Sequence, residues 1–173
     1  ANATLGGTGT IGGAVTVNDD GNLAPGVGGV GSLTIANNVN LSGDLEIEVN
    51  GVTTAGTDFD QLVVNGTVTL GATATLDTSG TTTSIGNITV VANDVADGVS
   101  GTFGGNPLVE GAGVTVNGQT FTITYAGDSG NDIVLEGDST APTVTSFAGA
   151  GSVTTHTQGD TITVTVTFDE NVT

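Results

Sequence analysis

Apolar and polar residues alternate along most of this chain, and this period of two restricts the folds available to it. In DLEIEVNG (Asp44–Gly51), Leu45, Ile47 and Val49 fall on one side of an extended strand and the two glutamates fall on the other. No segment shows the 3.6-residue apolar period of an amphipathic helix. The sequence therefore predicts an all-β fold with essentially no helix. Further alternating segments are Ala14–Asn18, Ser32–Ala36, Asp60–Leu70, Ala72–Asp77, Asn87–Ala92, Val114–Tyr125 and Asn131–Gly137.

Three Asn-Gly pairs lie between alternating segments, at Asn50-Gly51, Asn65-Gly66 and Asn117-Gly118. Asn-Gly tolerates the positive φ angles that both central positions of a type I′ hairpin turn require. The third pair, in VTVNGQTFTI, is the best hairpin candidate. The other two pairs fit either hairpins or corners between the rungs of a coil, and the sequence leaves both interpretations open.

A loose repeat of strand, glycine or asparagine corner, and strand recurs along the first part of the chain. Its units of about 20 residues, each with short β-segments, are typical of a β-solenoid. One such unit is unable to bury its apolar face alone, so we expect successive units to stack on one another. The repeat predicts a β-solenoid domain over residues 1–137.

Several stretches of this repeat resemble the autotransporter-associated β-strand repeat family. They read TLGGTGTIGGAVTVNDDGNLAPG, SLTIANNVNLSGDLEIEVNG, FDQLVVNGTVTLGATATLD and VTVNGQTFTITYAGDSGNDIVL, and they cover about residues 4–136. The pieces FDQLVVNG and YAGDSGNDIVL are the most distinctive. The resemblance implies a right-handed parallel β-helix that serves as a stalk or scaffold in very large secreted or surface-anchored bacterial proteins. The family motif contains no catalytic residues, so the resemblance implies none here.

The sequence changes character from Asp138 onward. DSTAPTVTSF and GDTITVTVTFDENVT resemble the opening of a bacterial Ig-like domain. The resemblance implies a linker at residues 138–143 and first strands within residues 144–173, at Val144–Phe147 and Thr161–Phe168. An Ig sandwich needs about seven strands and about 100 residues, so this segment holds an incomplete domain. Its other strands belong either to further sequence or to another chain.

The net charge of the chain limits the classes of partner that it is expected to bind. The chain has 18 acidic residues and neither lysine nor arginine, which gives a formal net charge of −18. Phosphate groups are bound mainly through Lys and Arg, so the composition argues against nucleic acid and anionic lipid as partners. No apolar run is long enough for a transmembrane helix, and no membrane insertion is expected. The absence of cysteine excludes disulfides and thiolate metal sites.

Calcium is the natural counterion for so acidic a chain, although no cofactor is required by the sequence. The segment Gly127–Leu135 matches the calcium β-roll nonapeptide at four positions, but it lacks the second glycine and occurs only once. Calcium in that architecture is shared between successive repeats, so a calcium ladder is not predicted. A single calcium site at the domain junction remains a hypothesis, against the alternative of solvated turn aspartates. Its candidate ligands are Asp128, Asp132, Glu136 and Asp138.

Candidate catalytic groups are few. Asp58 and Asp60 flank Phe59, and alternation places both carboxylates on the same face of a strand, where they invite comparison with a glycosidase pair. The chain lacks the Arg or Lys that handles an acidic sugar, and it has few aromatic residues. His156, the only imidazole, lies in a polar loop and is interpreted as a surface residue. The sequence therefore predicts no catalytic residue.

These observations together predict a non-catalytic structural module of a secreted or cell-surface bacterial protein, such as an adhesin stalk or a component of an extracellular fibre. The expected partners are neighbouring domains or copies of the chain, which pair through open β-edges. One alternative is a filament subunit that donates Thr161–Phe168 to the next copy by β-strand addition. A carbohydrate-active β-helix is the alternative from another class. A carbohydrate or host-surface target is left open.

Overall fold

The computed structural model describes residues 3–94, 97–128, 130–138, 142–149, 158–159, 161 and 163–169. These residues form sixteen β-strands and no helix, which confirms the predicted all-β class. Within this part of the chain there is accordingly no helix with the length and apolar character needed to cross a membrane. The chain divides into two compact units, Ala1–Asp138 and Ser139–Thr173.

The first unit contains fourteen strands in three sheets. They are β1 (Ala3–Gly7), β2 (Gly9–Ile11), β3 (Val15–Val17), β4 (Gly21–Pro25), β5 (Ser32–Ile35), β6 (Val39–Leu41), β7 (Asp44–Glu48), β8 (Gln61–Val64), β9 (Val68–Leu70), β10 (Thr75–Ser79), β11 (Ile88–Asn93), β12 (Gly113–Val116), β13 (Gln119–Gly127) and β14 (Asp132–Gly137).

Three sheets are built by repeated passes of the chain. Sheet I has the order β1-β4-β7-β10, sheet III has the order β3-β6-β9, and sheet II contains β2-β5-β8-β11; every pair in these series is parallel. We call one pass through sheets I, II and III a rung, so that the first rung is β1–β3 and the second is β4–β6. Val15, Val39 and Val68 occupy the same position in three successive rungs. The rungs lengthen along the chain, and the third rung, β7–β9, is longer than the predicted unit because the corner segment 50–60 carries extra residues.

The core consists of aliphatic columns that run from rung to rung. Leu23, Leu45 and Leu76 are in register across sheet I, and all three are buried. Outward residues of the same strands, such as Glu46 on β7, are partly exposed. Parallel pairing aligns every second side chain with its counterpart about 4.8 Å away, so the alternating sequence yields one apolar interior and one polar exterior.

Sheet II continues beyond the parallel strands with three antiparallel ones, in the order β11-β14-β13-β12. Asn117 and Gly118 join β12 to β13 with φ angles of 46° and 82°, which confirms the predicted hairpin. β14, which contains Ile133–Leu135, is the last strand of the first unit, and it pairs antiparallel with both of its neighbours. A tight turn, closed by a 2.8 Å bond from the Gly130 N–H to the Gly127 carbonyl, reverses the chain before β14, and a reversal imposes antiparallel pairing.

Residues 97–127 cover the end of the columns that lies beyond β9 and β10. Phe103 and Phe121 are fully buried there. The Tyr125 hydroxyl donates to the Leu108 carbonyl at 2.6 Å and accepts the Phe103 N–H at 3.0 Å, so one side chain closes the loop between them. This end of the first unit is therefore capped.

The second unit contains β15 (Val144–Gly149) and β16 (Val164–Phe168), which pair antiparallel. The predicted strand Val144–Phe147 is confirmed and extends by two residues, whereas the second strand starts at Val164 rather than at Thr161. Every described residue of both strands is exposed. Asp169 accepts the N–H of Thr143 at 2.8 Å and fixes the register at one end of the pair.

Candidate functional site

Asp60 is the most deeply buried carboxylate among the described residues, at 4% exposure. One of its oxygens accepts the N–H of Gly31 at 2.7 Å and the other accepts the N–H of Glu48 at 2.8 Å. Gly31 precedes β5 and Glu48 ends β7, so the carboxylate joins segments of two different rungs. Because Asp60 comes directly before β8, it fixes where that strand enters sheet II.

The electrostatics of Asp60 reflect competing effects. Burial raises the pKa of the Asp60 carboxyl above its ordinary value of 3.8, the two backbone N–H groups oppose that rise, and the nearby Glu48 carboxylate adds to it. A recess of about 300 Å³ beside Asp60 is lined by Glu46, Glu48 and Ser79 among others. The recess brings carboxylates together with the hydroxyl residues Thr4 and Ser79, and no cationic side chain is among the residues that line it.

Asp58 and Asp60 do not form the pair that the sequence suggested. The interpretation of both as same-face residues of one strand is wrong, because β8 begins only at Gln61. Asp58 lies in a turn, where its carboxylate accepts the Thr54 N–H at 2.9 Å and its carbonyl accepts the N–H of Gly51 at 2.8 Å. Asp58 thus holds a turn closed, whereas Asp60 joins two rungs.

Asp132, a candidate calcium ligand, occupies a position similar to that of Asp60. It is 5% exposed, precedes an apolar strand segment, and accepts the N–H of Asn93 at 2.7 Å. Asn93 and Asn131 are buried beside it, and their side-chain amides donate to the Asp97 carbonyl at 2.6 and 3.1 Å. Asp132 thereby ties β14 to the end of β11.

The three other calcium candidates lie in different surroundings. Asp128 has a φ of 45° and is exposed in the turn after β13, where its carboxylate accepts the Thr89 hydroxyl at 2.5 Å. Glu136, on β14, and Asp138 are exposed and line a shallow recess with Asn87. In the described ranges, no group of three or more acidic or histidine side chains is arranged to hold a metal ion. The junction calcium site stays a prediction from the sequence.

The sequence analysis named Asp60 and Asp132 as candidates for other roles, but it missed that both are buried acceptors of backbone N–H groups. A signal was present: Asp60 comes directly before β8 and Asp132 is the first residue of β14, in FDQLVV and in NDIVL, which belong to the two most distinctive pieces of the repeat. An aspartate next to a buried apolar strand is itself drawn toward the interior, and a buried carboxylate needs hydrogen-bond donors. Backbone N–H groups are the donors available at such a position. His156 lies outside the described residues.

In comparisons with known proteins, the chain matches no protein-family model, no curated protein and no solved structure. The arrangement of its carboxylates is suited to holding backbone segments together, since the oxygens of Asp60 accept hydrogen bonds from main-chain donors on two rungs.

Proposed function

We propose that this chain is a non-catalytic structural module of a secreted or cell-surface bacterial protein, either an adhesin stalk or a component of an extracellular fibre. In this proposal residues 1–137 form a right-handed parallel β-helix, and residues 144–173 supply the first strands of an Ig-like domain. The resemblance of residues 4–136 to the autotransporter-associated repeat belongs to the same proposal.

The observation that carries the proposal is the stacking of like aliphatic side chains from rung to rung. Leu23, Leu45 and Leu76 follow one another in register, with exposures of 0%, 0% and 4%. A stack of this kind lets each rung contact only its neighbours, so that length is gained by adding rungs without changing the interior. A spacer requires this property, and it requires no reactive group.

The surroundings of the acidic residues also support a non-catalytic role. A general acid or a nucleophile needs an oxygen that is able to reach a substrate, whereas both oxygens of Asp60 accept backbone N–H groups. Asp58 accepts the N–H of Thr54 within its own turn. Polysaccharide cleavage that is lost on Asp58→Ala would replace this proposal with the carbohydrate-active alternative.

The proposal has two measurable consequences: the first unit is stiff, and the protein lies at the cell surface. The chain has no native cysteine, so Thr16→Cys with Thr120→Cys provides unique labelling sites on the exposed faces of the first unit. We expect single-molecule energy transfer between them to give one narrow distance distribution that is unchanged from low to high salt. Antibodies against the chain should label intact source cells as strongly as lysed ones. A broad distribution contradicts the stiff spacer, and labelling of lysed cells only contradicts the surface location.

One observation favours the filament alternative. Phe147 is 79% exposed on β15, and it pairs with the exposed Val166 on β16. Two strands with an uncovered apolar face are marginally stable in water, and strands from another copy would cover that face. Electron microscopy distinguishes the two forms: filaments with a regular axial repeat support the subunit, and isolated particles reject it.

A further inference from the structure

The same three residues, valine, asparagine and glycine, occur in this order three times, at 49–51, 64–66 and 116–118. An asparagine that precedes glycine is chemically labile, because the following residue has no side chain to hinder attack of its nitrogen on the asparagine amide. The shared neighbours give the three asparagines closely matched reactivity in the unfolded chain. Differences between them in the folded protein therefore report on the structure around each one.

Asn50 is held by hydrogen bonds on all of its reacting groups. Its Oδ1 accepts the Thr81 N–H at 3.0 Å and the Thr81 hydroxyl at 2.8 Å, and its Nδ2 donates to Glu48 Oε1 at 2.6 Å. The N–H of Gly51 donates to the Asp58 carbonyl at 2.8 Å. The attacking nitrogen and the amide carbon that it must reach are both fixed, so reaction at Asn50 requires local opening of these contacts.

Asn117 is held by fewer contacts. It occupies the first position of the two-residue turn between β12 and β13, with a φ of 46°, and Gly118 follows with a φ of 82°. The Asn117 Nδ2 donates to the Thr82 carbonyl at 3.1 Å. The pairing of Val116 with Gln119 fixes both ends of this turn, so the hairpin opposes the backbone rotation that the attack requires.

Asn65 has neither kind of protection. It is exposed in the bend between β8 and β9, and within the described part of the chain its side-chain amide and the N–H of Gly66 have no hydrogen-bond partner. The Asn65 N–H donates to the Ile35 carbonyl at 2.9 Å, and the Thr67 N–H donates to Asn38 Oδ1 at 3.0 Å, so the main chain is fixed on both sides of the corner. A Cβ at position 66 would lie 2.9 Å from the Asn38 nitrogen, so this corner requires glycine.

We propose that Asn65 is a site of spontaneous deamidation in the folded protein and that Asn50 is protected from it. The Gly66 nitrogen attacks Cγ of Asn65, the Cγ–Nδ2 bond breaks, and ammonia leaves with the proton of the Gly66 N–H. Water then opens the resulting succinimide ring. Opening at Cγ gives aspartate, and opening at the main-chain carbonyl carbon gives isoaspartate.

Either product changes the corner that carries it. Both add a carboxylate to a chain that has no lysine or arginine to neutralise it. Isoaspartate also adds a methylene to the main chain, between the Asn65 N–H that is bonded to Ile35 and the Thr67 N–H that is bonded to Asn38. The modification therefore falls where two successive rungs are joined.

Peptide mapping by mass spectrometry compares the three asparagines in one sample of the full chain. Trypsin has no cleavage site here, but cleavage before aspartate places the three asparagines in separate peptides, 44–57, 60–76 and 97–127. Aspartate formed at position 65 adds a cut, so the intact peptide and its fragments are counted together. In mildly alkaline native buffer we expect conversion at Asn65 to be at least about tenfold faster than at Asn50, which corresponds to about 1.4 kcal/mol of local opening, with Asn117 between them. In urea above the unfolding transition, the three rates should agree within about threefold.

Two results in the native protein would overturn the proposal: no detectable conversion at Asn65, or a rate at Asn65 that does not exceed the rate at Asn50. Thr81→Val supplies a matched variant, since it removes one of the two donors to Asn50 Oδ1 and leaves the surroundings of Asn65 unchanged. It should raise the rate at Asn50 at least about twofold without changing the rate at Asn65. An equal rise at both sites would reflect a general loosening of the fold and would contradict local protection of Asn50.

Discussion

Asp60→Ala is expected to destabilise the first unit strongly although it removes only a small polar side chain. The substitution leaves the N–H groups of Gly31 and Glu48 without their acceptor, and the site is only 4% exposed, so water has little access to replace it. A buried donor left unsatisfied costs about 1–3 kcal/mol, which gives about 2–6 kcal/mol for two. Relief from burying a carboxylate offsets part of this cost, since burial raises its pKa, and we expect a net loss of about 2–4 kcal/mol.

Urea unfolding followed by far-ultraviolet circular dichroism measures this loss. With a slope of about 2 kcal/mol per molar urea, the transition midpoint should fall by about 1–2 M. Asp58→Ala is the matched control: its partly exposed carboxylate accepts one N–H, from Thr54, and we expect a loss below about 1 kcal/mol. Equal losses in the two variants, or a loss below about 0.5 kcal/mol for Asp60→Ala, would refute the argument that Asp60 joins two rungs.

Four further predictions concern the pH dependence of Asp60, the Tyr125 hydroxyl, the buried Leu45 and calcium. The free energy of unfolding of the wild type, relative to that of Asp60→Asn, should be greatest below pH 3.8 and should decline as the pH rises through the raised pKa of Asp60. The reason is that the folded state holds the Asp60 proton more tightly than the unfolded state does. Urea titrations of both proteins at a series of pH values measure this difference. Tyr125→Phe should cost about 1–3 kcal/mol and speed amide exchange in the loop that its hydroxyl closes. Leu45→Ala should cost about 3–5 kcal/mol in urea unfolding, against less than about 1.5 kcal/mol for Leu5→Ala, because Leu45 is fully buried and Leu5 is 38% exposed. Calcium should raise the melting temperature of the wild type but not of Asp132→Ala, and no shift in the wild type would end the junction-site prediction.

The alternating pattern predicted most strands of the first unit, though not β1, β2, β4 or β6, because inward and outward positions are a local property of the sequence. DLEIEVNG contains β7, and Leu45 and Ile47 are buried as the pattern requires. Asn117-Gly118 predicted its hairpin for an equally local reason, since few other residue pairs accept two positive φ angles. Both results depend only on residues that are adjacent in the chain.

Strand direction and the role of Asp60 depend on contacts that are distant in sequence, and the sequence did not reveal them. Ile133–Leu135 is a continuous apolar run that fits a parallel or an antiparallel strand equally well, and only the reversal before it makes the pairing antiparallel. The donors to Asp60 lie 29 and 12 residues away, so a local interpretation sees only a turn aspartate. Asp60 was therefore assigned to a strand face that does not exist, although its position before β8 was visible.

Parallel stacking also explains how an acidic chain without lysine or arginine arranges its outer face. In register, Glu46 and Asp77 are neighbours on adjacent strands, and like charges so placed repel each other. Neutral donors lie beside the carboxylates of this sheet: the Asn22 amide donates to Glu46 at 2.5 Å, and the Thr75 hydroxyl donates to Asp44 at 2.5 Å. Such donors satisfy carboxylate oxygens but leave the charge in place. Threonine and asparagine thus supply the donors that these carboxylates need, and screening by the solvent reduces the repulsion between the carboxylates of adjacent strands.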